Sequence, residues 1–139
     1  MSIVDKDYQI ILDSNPESIS EVEPFVESLR EEMEIPDELY ANILNCLTEA
    51  VNNCIIHGNK LSPLKKVTLA CMKKENVISF VASDEGEGFD FEHLPDPTAP
   101  ENREKITGRG VFLMRQLSDQ LKYSNGGATV EMRFRIQLH

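Results

Sequence analysis

The chain has 139 residues, 40% of them hydrophobic, and a net charge of −10, which is enough apolar material for one packed domain and too much for a disordered chain. No apolar run reaches the roughly 18 residues of a membrane span, and the N-terminus lacks the basic-then-apolar order of a signal peptide, so a cytoplasmic protein of one domain over residues 1–139 is expected. Residues 1–40 hold 12 acidic and 2 basic side chains, whereas residues 41–139 hold 12 of each; with no basic stripe to release counterions, nucleic acid is disfavoured as a partner.

In chain order, "YQIILDS" reads as a short strand over Tyr8–Leu12, and "NPES" breaks it. Ser18 or Ser20 then caps a helix to about Met33, with Val22, Phe25, Val26 and Leu29 as its apolar stripe. Its acidic face is either solvated or a surface that steers a basic protein partner. "IPDE" stops this helix and starts a second, capped by Asp37, over about Glu38–Ile56. Leu39, Ile43, Leu47, Ala50 and Cys54 form its buried face, and Gly58 fits its terminus. Cys46, Cys54 and Cys71 form no CxxC pair and read as reduced thiols packed as small apolar groups. "KKVTLACMKK" and "NVISFVASDEG" read as two strands with a turn at Lys74–Asn76. Residues 89–107 hold three prolines and no periodic pattern, which for a connection of that length points to a functional lid or a disordered segment. "GVFLMRQLSD" reads as a short helix opening at a Gly-rich turn. "QLKYS", "NGG" and "ATVEMRFRIQL" close the chain as a hairpin. The order predicts an α+β fold, a two-layer α/β sandwich with helices on one face of a mostly antiparallel, mixed sheet.

Three stretches could carry chemistry. Glu49, Asn53 and His57 recur every fourth residue in "EAVNNCIIHGN", which lines a carboxylate, a carboxamide and an imidazole along one helix edge. That edge would also serve as a solvent face, although adjacent Asn52 and Asn53 are unusual helix formers for one. Asp84 ends an apolar strand in "DEGEGFD", and Gly86 and Gly88 after it allow a ligand close to the backbone. An ordinary turn would look the same. In "TGRGVFLMRQL", Gly108 and Gly110 precede a helix whose free N–H groups favour a phosphate; alone, this is neither a Walker loop nor GxGxxG.

Taken in order, ExxxNxxxHG on a helix, a strand ending in DxGxG, a long connection and GxG before a helix resemble the GHKL ATP-binding (Bergerat) fold. Gyrase, MutL and the histidine kinases share that fold. The short form, with "EAVNNCIIHGN" and "GRGVFLMRQLSD", is most similar to the anti-sigma factor serine/threonine kinases. The resemblance spans about residues 8–137. It implies ATP and Mg2+ as cofactors, with Asn53 holding the metal and Glu49 as general base. It puts His57 near the phosphates or ribose and Asp84 on the adenine amino group. It implies that Gly86 and Gly88 shape the adenine pocket, and that the backbone of Thr107, Gly108, Arg109, Gly110 and Val111 donates to the phosphates. Arg109, Arg103 and Lys105 would add positive charge from an ATP lid of about residues 89–109, and Thr129 would reach adenine through water. Asn52 has no part in that pattern.

The resemblance further implies a STAS-type anti-anti-sigma protein as the phosphorylated partner, a sigma factor as the alternative partner, and a homodimer. No membrane partner is expected. A histidine kinase would need a further domain with a phosphoacceptor histidine. The rival expectation is a non-catalytic, ATP-dependent protein-binding switch, against which Glu49 argues, since a binder needs no base.

Overall fold

The computed structural model describes residues 6–93 and 108–136, without the side chains of Lys6 and Arg109. The first strand, β1 (Lys6–Asp13), turns Leu12 into the core and leaves Asp7, Gln9, Ile11 and Asp13 exposed, the period-two pattern of a half-buried strand. The first helix is not the continuous one expected from Ser18 or Ser20 to Met33. The Asn15 side chain accepts from the Glu17 N–H at 3.0 Å and starts a 3-10 turn over Pro16–Glu21, which passes into α1 (Val22–Leu29). Pro24 lacks the N–H that would bond back one turn, so a regular helix can begin only near it. Beyond Leu29 the chain turns through Glu34, whose φ is 57°, and Pro36 forbids continuation.

The second helix, α2 (Asp37–Asn53), starts after an extended Pro36 with no side-chain cap. Asp37 is its first residue and not its cap, and it pairs with Arg30. Ile43, Cys46, Leu47, Ala50 and Val51 are its buried side. The helix then widens into a π turn over Cys54–Gly58, where the Asn59 N–H bonds the Cys54 carbonyl at 2.8 Å. Lys60 and Leu61 take positive φ and lead the chain out.

The remaining elements are β2 (Lys66–Lys74), β3 (Val77–Ser83), α3 (Gly108–Leu117), β4 (Gln120–Ser124) and β5 (Thr129–Arg135). They form a five-stranded sheet in the order β1-β2-β3-β5-β4. Every pairing among the described residues is antiparallel, with none of the parallel pairs of a mixed sheet among them. Val67, Leu69 and Cys71, Ile78, Phe80 and Ala82, and Val130, Met132 and Phe134 alternate onto one face and join the helices in the core. Phe80 and Phe134 meet edge to face, ring centres 6.2 Å apart. The helix α2 packs on β3 and β5 and touches both α1 and α3. The chain leaves β3 at its end, runs through α3, and returns at edge strand β4, skipping the position that β5 fills. Residues 94–107, most of the expected lid, lie outside the described residues, as do Arg103, Lys105 and Thr107. Among the described residues, no helix is long and apolar enough to cross a membrane.

Candidate functional site

A cleft of about 360 Å3, counting space open to solvent, lies between α2 and the β3 and β5 side of the sheet. Ala50, Asn53 and Cys54 form its helical wall. Ala82, Asp84, Ala128 and Val130 form its floor, and Gly88, Phe89, Tyr123 and Gly127 close its far side. Small apolar side chains around one carboxylate suit a flat heteroaromatic ring that carries a hydrogen-bond donor.

Asp84 is held from several directions. Its N–H donates to the Ala128 carbonyl at 2.9 Å, which ties the end of β3 to the turn before β5. Its Oδ1 accepts from the Gly86 N–H at 2.8 Å, and the Cys54 thiol donates to the carboxylate. Gly58, at the end of the π turn, lies against that carboxylate, and a Cβ there would collide with both its oxygens. Gly58 is therefore required by close approach, since it is not among the glycines with positive φ. A Cβ on Gly86 would strike the Gly58 carbonyl, so helix end and strand end meet backbone to backbone. Burial pushes the Asp84 carboxyl up, against the Gly86 N–H, the Cys54 thiol and Lys65, which pull it down. Burial, then the Asp84 charge, pushes the Cys54 thiol well up, so it keeps its proton and donates.

The three sequence motifs converge here. A Cβ added to Gly110 would lie 2.6 Å from Glu49 Oε2 and 3.7 Å from Asn53 Nδ2. The first turn of α3, with its free N–H groups, therefore stands over the glutamate and asparagine of α2. Val111 is buried in the core, so only its backbone is available to a ligand. Gly108 and Arg109 open α3, the expected position for phosphate donors. Magnesium, implied by the fold family, would fit this donor set: Asn53 would supply an amide oxygen at the rim of the cleft, and a Mg2+ ion would take most of its remaining ligands from water and phosphate, which leaves the Glu49 carboxylate unligated. No group of three His, Cys, Asp or Glu side chains among the described residues forms a dedicated metal cage.

His57 and Thr129, like Glu49, Gly86 and Gly110, are not among the residues that line the cleft. His57 falls within the π turn, half-buried and outside the cleft lining; burial pulls its imidazole down, towards the neutral form. Thr129 alternates with Val130, and Val130 takes the cleft side. The Thr129 hydroxyl instead bonds Ser83 Oγ at 3.2 Å and accepts from Asn125 Nδ2 at 2.9 Å.

Of the residues that line the cleft, the sequence pointed only to Asn53, Asp84 and Gly88 as site residues. Gly126 and Gly127 of "NGG" take positive φ, and a Cβ on Gly127 would sit 2.5 Å from the Phe89 carbonyl, so this turn is a wall as well as a hairpin end. Phe89 meets Tyr123 edge to face at 5.3 Å, and Phe91 stacks on Tyr123 at 5.0 Å. Cys54 reads as a core thiol and is one, yet it also faces the cleft. Its spacing of four from Ala50 was the available signal.

A helix-bordered cleft over an antiparallel sheet, with these motifs at its rim, defines a class: residues 12–134 match the family model described as histidine kinase-like ATPase domain, and the chain belongs to that family. Within it, the chain is similar to the serine-protein kinase RsbW of Staphylococcus epidermidis, at 33% identity over 94 residues, covering 62% of this chain. RsbW proteins from two further strains of that species match to the same extent. The chain spans 59% of the length of these curated relatives.

Proposed function

We propose that the cleft binds ATP with Mg2+ and that the chain is a serine/threonine protein kinase of the anti-sigma factor type. The observation that carries this reading is the meeting of Glu49, Asn53 and the first turn of α3 beside a cleft whose floor holds the half-buried carboxylate of Asp84. In this reading Asp84 accepts a hydrogen bond from the adenine amine, and Gly86 and Gly88 let the ring approach the backbone. The backbone of residues 107–111 and Arg109 receive the phosphates, under a lid of about residues 89–109. Asn53 holds Mg2+, which draws charge from the phosphate oxygens when bound. A serine hydroxyl of the partner attacks the γ-phosphorus, the bond to the bridging oxygen of ADP breaks, and Glu49 takes the hydroxyl proton.

The relatives are serine-protein kinases by name, which supports transfer to protein. The substrate proposed is a serine on a STAS-type anti-anti-sigma protein, and the alternative partner a sigma factor held by a homodimer in the cytoplasm. The test uses γ-labelled ATP and a STAS-domain protein. Glu49→Gln is expected to keep ATP affinity and to lose about 100-fold or more of the transfer rate; transfer at the wild-type rate removes Glu49 as base. Asn53→Ala is expected to lose the Mg2+ dependence of ATP binding, and an unchanged dependence removes it as the metal ligand. ATP binding by the wild type without transfer to any such protein favours a switch module over a kinase.

A further inference from the structure

We propose that Asn59 is a positioning residue for Asp84, and through it for the choice of an aminopurine over an oxopurine; this rests on the nucleotide reading above. Asn59 is 1% exposed and follows the π turn directly. Its Nδ2 donates to Ser14 Oγ at 2.8 Å and to the Lys66 carbonyl at 2.9 Å. Its Oδ1 accepts from the Glu85 N–H at 2.8 Å. The orientation of this amide has one solution. The Ser14 hydroxyl spends its proton on the Lys65 carbonyl at 2.5 Å, so its oxygen can only accept from Asn59. The Lys66 carbonyl can also only accept. Both therefore face the NH2 group, and the amide oxygen must face Glu85.

Glu85 follows Asp84 in the chain. The Asp84 N–H is held by the Ala128 carbonyl, so the two successive amides are each fixed, one by the turn before β5 and one by Asn59. Glu85 is fixed a second time, because its Oε2 accepts from the Lys66 N–H at 2.5 Å. The preceding residue, Gly58, presses on the Asp84 carboxylate itself. Asn59 thus joins the ends of β1, the start of β2 and the end of the helix to the one backbone segment that aims Asp84 into the cleft. A carboxylate held there accepts from a 6-amino group and opposes a 6-oxo group. A carboxylate on a loosened segment would distinguish them less.

The experiment compares binding of ATP and inosine triphosphate to the full chain by calorimetry, for the wild type, Asn59→Asp and Asn59→Ser. Both variants lose the bonds to Ser14 and Lys66 as now made, and both are expected to melt below the wild type. Asn59→Asp keeps an acceptor for the Glu85 N–H, and its preference for ATP is expected to stay within about twofold of wild type, whereas Asn59→Ser is too short to reach and is expected to lose about tenfold. Equal preference in Asn59→Ser and wild type, or equal loss in both variants, overturns the positioning role and leaves ATP binding standing. A wild type that binds neither nucleotide overturns the nucleotide reading itself. Amide exchange on the unsubstituted chain reads the same contact: the Glu85 amide is expected to be protected without nucleotide, and exchange as fast as that of exposed Glu87 overturns the proposal even if Asn59→Ser does not fold.

Discussion

Burial raises the Asp84 carboxyl, so its contribution to stability is fully present below the ordinary carboxylate range and is lost as pH rises through the raised folded value. The ionised form, which alone accepts from an amine with both oxygens, is the form that folding favours less. Asp84→Asn should therefore melt no lower than the wild type at pH 7, while ATP affinity falls about tenfold or more; thermal melts and calorimetry on the same samples check both halves. In the wild type, ATP affinity should decline on acidification with a midpoint above the ordinary aspartate value, and Asp84→Asn should lack that decline. Gly58→Ala puts a methyl group where the carboxylate lies. The side chain has to turn away, with an expected loss of about tenfold in ATP affinity and an intact circular dichroism spectrum.

At the scale of elements, the approach of α3 to α2 is the contact to perturb. Gly110→Ala sets a methyl group 2.6 Å from Glu49 Oε2. It should displace the carboxylate, lowering the transfer rate more than ATP affinity; an effect on affinity alone would separate Glu49 from the chemistry. The elements themselves were largely legible. The stripe Ile43, Leu47 and Ala50 marked the buried side of α2, and alternation marked β2, β3 and β5. The π turn was not, because "NCIIHG" reads equally well at either helical pitch, and the wider turn is imposed where Gly58 must meet Asp84 and Gly86. The split first helix was misread because Ser18 and Ser20 look like caps, whereas Asn15 and Pro24 decide the start. The rim of the cleft followed from motif order. Its far side did not, since Phe89, Tyr123 and Gly127 come from a connection and a hairpin that only tertiary packing brings together.

Over the whole molecule, stability and site draw on the same strands. Phe80 and Phe134 pack beneath β3 and β5, and those strands carry Ala82, Asp84 and Val130 into the cleft. Phe80→Ala should cost about 3–5 kcal/mol in denaturant unfolding, and ATP should shift the midpoint upward in both wild type and variant. The π turn has a further consequence, for how the chain tolerates changes in length. Its five residues, Cys54–Gly58, are a spacer pinned at both ends: Asn53 by the wall of the cleft, Asn59 by the backbone beyond β3. Removing one residue, or adding one, would rotate Gly58 away from Asp84 and uncouple Asn59 from Glu85. An insertion in the bend that follows, Lys60–Leu64, where Lys60, Leu61, Pro63 and Leu64 are exposed, would lie outside the span between the two asparagines and leave the distance between them unaltered.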